Sequence, residues 1–401
     1  MSELLYNVKD EVFLNKGREK NVLYKHPWIF SGALQRFVGQ PKNGEPVFVK
    51  SSQNDLLGIG SFSSRSQISI RMWCYGTEVF DNSFFVNKIK LAWQLRKKFI
   101  KKDTNAYRVV FGESDGLPGF ILDKYANYYV CQFLSAGSDY FKEEIVKAII
   151  TVFDPVSIYE RSDSDVRKKE GLEPITKTLY GKEPNELVEI EENGLKFLVD
   201  IKIGHKTGYY LDQRDNRAEL LNYVQDSDVL NCFSYTGGFG IYALKGGAKN
   251  VVNVESSSDC NIIAKKNVEL NGLDSSKIEF ATEDVFKLLR KYRDSDRKFD
   301  VIILDPPKFA ESAAQVNKAS RGYKDISLLA MKLLNKNGVL FTFSCSGHID
   351  KGLFNKIICG AAFDSGRDVK IVKSMSQAPD HPIAANFSES EYLKGLVCIV
   401  V

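Results

Sequence analysis

Cys345 sits in the run Phe343-Ser344-Cys345-Ser346-Gly347-His348, directly behind an apolar stretch. A thiol at the end of such a stretch, between two small polar residues, has the setting of a nucleophile. Asp305-Pro306-Pro307-Lys308-Phe309 closes another apolar stretch upstream. An acid at that point can hold or protonate a polar edge of a substrate, and the two prolines remove backbone donors and stiffen the loop. Lys308 could favour a thiolate electrostatically. The other chemistry-bearing group surrounds a glycine turn, Asn231-Cys232-Phe233-Ser234-Tyr235-Thr236-Gly237-Gly238-Phe239-Gly240. Its glycine spacing is wrong for a dinucleotide fingerprint, and it lacks the Gly-Lys-Ser/Thr of a phosphate-cradling loop. Such a turn suits a ligand without a pyrophosphate. Glu255 follows at the place where an acid binds a ribose diol, and Glu283-Asp284 at the place of an adenine edge. Each feature alone has a plain structural reading, as a turn glycine or a helix cap. Together they form an S-adenosylmethionine constellation.

The elements that must carry these residues alternate from residue 228 onward. DVLNCF, NVVNVE, KIEFATED, FDVIILD and GVLFTFSC read as strands. GFGIYALKGGA, SSDCNIIAKKNVELNG, DVFKLLRKY and YKDISLLAMKLLN read as helices between them. This is the rhythm of a doubly wound parallel sheet, whose strands are apolar because both faces are covered. In that architecture ligands sit beyond the carboxyl ends of the strands, where the residues above fall. Residues 1–75 instead show short strand-like runs (EVFLN, PVFVKSS, LLGIGSFS, QISIRMW) broken by Gly and Pro, which predicts a small β-barrel. Residues 76–186 mix helix and strand: a helix over 83–101, three strands around Gly116, Pro118 and Gly119, a helix near 139–152 and a strand near 156–160. The polar stretch 163–186 reads as a surface connection or boundary. A hairpin turning at Asn193-Gly194 opens the last domain, 187–401.

Composition narrows the class. The chain has 401 residues, 43% hydrophobic and 26% charged, which excludes a fibrous or largely disordered protein. No apolar run is long enough to span a membrane, and the charged N-terminus lacks a signal-peptide core. Seven cysteines and four histidines are scattered without zinc spacing, so neither a metal nor disulfides are expected, and a reducing cytoplasm is. Cys232, Cys260, Cys359 and Cys398 lie inside strand or helix patterns and are expected to be core residues. The net charge of +4 is unevenly distributed. Residues 1–108 hold eighteen Lys and Arg against nine Asp and Glu, a net of +9; the remaining 37 against 42 give −5. The charge neither demands nor excludes a nucleic-acid partner; if the partner is RNA, affinity is expected mainly in the front of the chain, with Arg65, Arg71 and Arg96-Lys97-Lys98 as candidate phosphate contacts.

The Asp-Pro-Pro run resembles the corresponding motif of class I methyltransferases acting on nucleic-acid bases. Relatives that methylate exocyclic amines place an aromatic residue directly after the prolines. Lys308 intervenes here, which speaks against simple amine methylation. A thiolate has a purpose in such an enzyme, because carbon 5 of a pyrimidine is a poor nucleophile until a thiolate adds at carbon 6. Asp305 could then bind the N3 side of cytosine.

Over nearly its whole length the chain resembles bacterial large-subunit rRNA (cytosine-C5) methyltransferases of the type I group. Besides the motifs above, the likeness rests on residues 26–32 (HPWIFSG), 111–119 (FGESDGLPG), 206–214 (KTGYYLDQR), 380–382 (DHP) and 392–395 (YLKG). The resemblance implies an N-terminal PUA RNA-binding domain, a small central α/β domain and a C-terminal class I methyltransferase domain. It implies S-adenosylmethionine as cofactor, rRNA as partner and Cys345 as nucleophile, with Asp212 and Arg214 near the cofactor. The implied cofactor residues are thus Asp212, Arg214, Asn231, Phe233, Tyr235, Gly237, Glu255, Asp284 and Asp305. The proton-abstracting base stays open among Asp380, His381, Glu391 and Asp305. So does the oligomeric state, a homodimer included. Two other readings remain at this point: methylation at uridine C5 or a guanosine nitrogen, and a non-catalytic RNA-binding assembly factor.

Overall fold

The structure, a computed structural model, describes residues 8–401. The first seven residues, on which part of the reading of the N-terminus rests, lie outside the described residues. Two compact units are present. One takes the chain up to Glu192 together with Val199–Leu211 and Pro379–Ser390; the other takes Asn193–Leu198, Asp212–Ala378 and Glu391–Val401.

The first unit begins with β1 (Asp10–Leu14), α1 (Glu19–Leu23), β2 (Trp28–Phe30), β3 (Leu34–Val38), β4 (Pro46–Lys50), β5 (Leu56–Phe62) and β6 (Ile68–Tyr75). These strands form one six-stranded sheet in the order β2-β6-β5-β4-β1-β3. Its apolar face gathers Val12, Val47, Val49, Ile70 and Met72, all essentially inaccessible. Next come α2 (Phe84–Arg96), β7 (Ala106–Phe111), β8 (Phe120–Tyr125), β9 (Tyr128–Phe133), α3 (Ala136–Tyr140), α4 (Lys142–Phe153), β10 (Ser157–Ser162), α5 (Val166–Lys169) and β11 (Ile175–Gly181). They build a five-stranded sheet, β11-β10-β9-β8-β7. The stretch read as a surface connection therefore contains a strand, β11, paired antiparallel with β10. Edge position explains the misreading: one side of ITKTLYG has no strand neighbour, so its residues stay exposed and polar. The core of this second sheet also takes in Ile59, Trp73 and Cys74 from the first. Trp73 packs edge-on against Phe85 and Phe141 at 5.6 and 5.7 Å, and its indole N–H donates to Ser61 Oγ at 2.7 Å.

The chain then runs through β12 (Val188–Glu192) and β13 (Leu195–Val199), the hairpin expected at Asn193-Gly194. Both turn residues have positive φ, 51° and 74°, as a type I′ turn requires.

The second unit continues with α6 (Arg214–Leu220), β14 (Asp228–Cys232), α7 (Gly238–Lys245), β15 (Asn250–Val254), α8 (Ser258–Leu270), β16 (Ile278–Ala281) and α9 (Val285–Asp294). It ends with β17 (Phe299–Leu304), α10 (Val316–Leu333), β18 (Leu334–Ser344), α11 (Lys351–Ser365), β19 (Val369–Ser376) and β20 (Lys394–Val400). The sheet order is β16-β15-β14-β17-β18-β20-β19. The five strands from β16 to β18 are parallel throughout. These are the five strands read from the sequence; beyond them β20 runs antiparallel between β18 and β19. No connecting helix is needed for that insertion, so the helix–strand alternation of the sequence does not reveal it. Val229, Leu230, Val301, Ile302, Ile303, Leu340 and Phe341 are all at most 1% exposed, as a sheet covered on both faces demands.

Candidate active site

Because β16, β15, β14, β17 and β18 are neighbours and all point the same way, the loops after them share one edge of the sheet. Asp284, Glu255, residues 233–237, Asp305 and Cys345 follow these strands in that spatial order. The first strand of this half, β14, lies in the middle, so the strand order reverses between β14 and β17, where open α/β sheets bind ligands.

The glycine turn leaves β14 with left-handed backbone at alternate residues, φ being 59° at Phe233, 48° at Tyr235 and 83° at Gly237. Two of these are aromatic residues, in a conformation that costs about 1–3 kcal/mol each and that concentrates at ligand sites. The neighbouring Gly240 is required by packing. A Cβ there would stand 2.4 Å from Asn253 Oδ1, the atom that accepts from Asn231 Nδ2 at 2.8 Å. Asn231 thus props the turn from below. Three polar atoms of the turn, Asn231 Oδ1, Ser234 Oγ and Thr236 Oγ1, are buried without a hydrogen-bond partner. Buried polar atoms need partners. A ligand with a charged amino-acid end provides them, so the residues present fit S-adenosylmethionine.

Glu255 braces the same turn. One carboxylate oxygen accepts from the Tyr235 N–H at 3.0 Å; the other accepts from Ser257 N at 3.0 Å and Ser256 Oγ at 3.1 Å. The oxygen that faces Tyr235 retains a lone pair with which a diol can bond. Asp284 is exposed and caps α9, accepting from Lys287 N at 2.9 Å. Asp212 accepts from the Tyr392 hydroxyl at 2.6 Å, and Arg214, 4% exposed, pairs with Asp215 at 3.0 Å.

Two loops form the reactive edge. Asp305, half-buried, is held by Gln213, whose Nε2 donates to Oδ1 at 2.9 Å while its Oε1 accepts from Asn216 at 2.6 Å. Lys308 is exposed. Phe309 turns inward onto Tyr323, ring centroids 4.5 Å apart, and Phe286 follows at 5.9 Å. Cys345 is half-buried directly after β18. Its neighbour Ser346 ties the two loops together: the buried hydroxyl accepts from Ala310 N at 3.2 Å and bonds the Tyr323 hydroxyl at 3.0 Å. Lys394, first residue of β20, donates to the carbonyls of Ser346 and Tyr392 at 2.7 Å each. Burial pushes its ammonium down to about 8; of the charged groups around it Cys345 opposes this most, then Glu391 and Asp350, and Lys308 adds to it. Gln213, Tyr323, Ser346 and Lys394 lay outside the sequence-derived set. Gln213 and Lys394 stood inside quoted blocks, but their roles depend on pairings between segments far apart in the chain.

Four of the remaining thiols, Cys74, Cys131, Cys232 and Cys398, are buried. Burial pushes Cys74 up to about 11 and Cys398 up to about 12, and raises Cys232 further. Of the thiols expected in the core, Cys260 is half-buried on α8 and Cys359 is exposed on α11, because each lies on the outward side of its helix.

In the first unit Arg65 is exposed, as a phosphate contact must be. Arg71 is not. It is 9% exposed and paired with Glu170 at 2.8 Å, with Glu113 at 3.6 Å. Glu113 in turn accepts from Trp28 Nε1 at 2.7 Å, so two of the quoted blocks meet in a buried network. Arg96 is also withdrawn from solvent, bonded twice to Asp115 at 2.6 and 2.7 Å. A charge pattern cannot distinguish a buried pair from a basic face. Of the candidate bases, Asp380 accepts from Arg108 N at 2.9 Å inside this unit, His381 packs on the Phe111 ring, and Glu391 pairs with Lys351.

Residues 172–382 match the S-adenosylmethionine-dependent methyltransferase family, and residues 12–75 match the PUA-like domain. The chain is 53% identical over 388 residues to ribosomal RNA large subunit methyltransferase I of Aeromonas salmonicida, covering 96% of this chain and 98% of that one. It is 52% identical over 393 residues to the protein of that name from Vibrio cholerae serotype O1, covering 97% and 99%. A solved structure of a putative SAM-dependent methyltransferase from Streptococcus mutans shares the fold, with a TM-score of 0.83 at 23% identity over 97% of this chain and 100% of that one. A putative methyltransferase complexed with SAH shares it at a TM-score of 0.84 and 24% identity, with the same coverage. With its glycine turn, two acids and reactive edge arrayed on a class I sheet, and with such relatives along almost its full length, the chain belongs to the ribosomal RNA large subunit methyltransferase I family, S-adenosylmethionine-dependent methyltransferases carrying a PUA-like domain.

Proposed function

We propose that this chain forms 5-methylcytidine in large-subunit rRNA by way of a transient bond between Cys345 Sγ and carbon 6 of the base. The observation that supports this reading is the meeting of two loops on neighbouring parallel strands, one ending in the half-buried Cys345 and the other in Asp305 held by Gln213. The Cys345 thiolate attacks carbon 6, and Asp305 donates a proton to the N3 that gains the electron pair and takes it back when the sulfur leaves. Carbon 5 thereby becomes nucleophilic. S-adenosylmethionine supplies the methyl group. A base then takes the carbon 5 proton, the electron pair restores the double bond, and the sulfur leaves as thiolate. Lys308, at the mouth of this edge, adds positive charge. Asp212, Arg214, Asn231, Phe233, Tyr235, Gly237, Glu255, Asp284 and Asp305 are the proposed cofactor contacts.

The division into residues 1–75, 76–186 and 187–401 belongs to the same proposal, with the first segment as the RNA-binding domain and Arg65 among its contacts. So does a cytoplasmic location, which suits seven free thiols and an rRNA substrate. The test is bisulfite sequencing of rRNA from cells carrying the wild-type chain or Cys345→Ala. Loss of one protected cytosine in the variant, with S-adenosylmethionine binding retained by calorimetry, is expected. Undiminished methylation by Cys345→Ala would remove the covalent route, and a product other than 5-methylcytidine by nucleoside mass spectrometry would move the reaction to another position.

A further inference from the structure

Lys394 has no place in the chemistry described so far, yet it is among the most deliberately held cations of the second unit. Its register is fixed: β20 pairs with β18 so that Lys394 stands opposite Ser344, the residue before Cys345. Its residue is 4% exposed. Two of its three N–H donors go to the carbonyls of Ser346 and Tyr392, and the Ser346 carbonyl belongs to the nucleophile's own loop. Burying an ammonium is costly unless an anion faces it. The carboxylates within its influence are engaged elsewhere: Asp350 caps α11 through Leu353 N at 2.7 Å, and Glu391 pairs with Lys351. The nearby phenol, Tyr323, is held by the Ser346 hydroxyl. Lys308, the other cation of this edge, is exposed, so solvent screens its charge. What remains for Lys394 to serve is Cys345, which stands between Ser344, its partner across the strands, and Ser346, whose carbonyl its ammonium holds; of the groups around it Cys345 most favours its charged form.

We propose that Lys394 is the positioning residue for the nucleophile: its ammonium, anchored by two carbonyls, keeps Cys345 ionised before attack and receives the sulfur again when the adduct breaks down. The proposal rests on Cys345 being the nucleophile. No bond to Lys394 forms or breaks. The thiol proton goes to water, the sulfur electron pair makes the bond to carbon 6, and the same pair returns to sulfur on release. The charge lies in a site of low dielectric, where it acts more strongly than any surface lysine.

The experiment is the pH dependence of Cys345 alkylation by iodoacetamide in the full-length enzyme, read by peptide mass spectrometry with the exposed Cys359 as internal reference. In the wild type the inflection should fall below the value of about 8.5 for a free cysteine. Lys394→Met should move it up by at least one unit, making Cys345 about tenfold less reactive at neutral pH. Lys394→Arg should restore most of the shift, and Lys308→Ala should move it less than Lys394→Met does. Methyl transfer by Lys394→Met should lose at least tenfold in kcat with S-adenosylmethionine affinity unchanged. An unshifted inflection in Lys394→Met, or a larger shift in Lys308→Ala, overturns the assignment. If Lys394→Met does not fold, the ultraviolet thiolate absorbance of wild type minus Cys345→Ser gives the same titration. An inflection there at or above the free-cysteine value also overturns it. Failure of the underlying reading looks different: Cys345→Ala would then keep full turnover whatever Lys394 does.

Discussion

At the scale of single residues, Ser346 organises more of the reactive edge than its size suggests. Its hydroxyl satisfies Ala310 N and Tyr323, and its carbonyl accepts a hydrogen bond from Lys394. Ser346→Ala leaves a buried amide and a buried phenol without that partner, each costing about 1–3 kcal/mol. We expect thermal unfolding several degrees lower and kcat reduced, since the Asp305 loop and the Cys345 loop lose their tie. Tyr323→Phe removes only one of these bonds and should cost about 1 kcal/mol. If the two variants unfold at the same temperature, Ser346 is not the junction. Gln213 acts in the same way on Asp305. Gln213→Ala should lower kcat with S-adenosylmethionine affinity retained, measured by single turnover and calorimetry; equal losses in both would make it a cofactor residue instead. Neither role was legible in the sequence. A serine beside a cysteine and a glutamine in a polar block carry no sign of their partners until the strands are paired. Cys345 and Asp305 were legible, because each ends an apolar run and so announces the carboxyl end of a buried strand.

At the scale of elements, the glycine turn joins sequence to site most directly. Its spacing excluded a dinucleotide loop, but the reason for that spacing is the Asn253 side chain beneath α7. Gly240→Ala puts a methyl group into the Asn231–Asn253 pair, an overpacking that costs about 1–3 kcal/mol. We expect S-adenosylmethionine affinity to fall at least tenfold in calorimetry, with thermal unfolding lowered too. Affinity unchanged by this substitution would mean that the turn does not hold the cofactor. The five parallel strands were legible because strands buried on both faces must be apolar throughout. β11 was not, since an edge strand may stay polar, and β20 was not, since an antiparallel insertion leaves no periodicity of its own. The price of missing β20 was Lys394, whose position is meaningful only opposite Ser344.

At the scale of the whole molecule, the excess charge of residues 1–108 is a net of +9, yet part of it is unavailable to RNA. Arg71 and Arg96 are spent on buried carboxylates, whereas Lys16, Arg18 and Arg65 are exposed. The two classes should separate in a single pair of measurements. Replacing Lys16, Arg18 and Arg65 together by alanine removes three exposed cations. If each neutralises one phosphate of single-stranded RNA, the slope of log affinity against log salt should fall by about 2, at roughly 0.7 per contact. Unfolding should be unaffected. Arg71→Ala should do the reverse. It strands Glu170, 1% exposed, without its cation, a loss of about 3–5 kcal/mol, and it should leave the salt slope of the folded fraction unchanged. Deleting residues 1–75 would not make this distinction, because Trp73 and Ile59 leave with that segment and open the core formed by Phe80, Phe84, Phe85 and Phe141. An unchanged slope in the triple variant would move RNA affinity out of the basic front, and a reduced slope in Arg71→Ala would show that charge count, rather than exposure, governs binding.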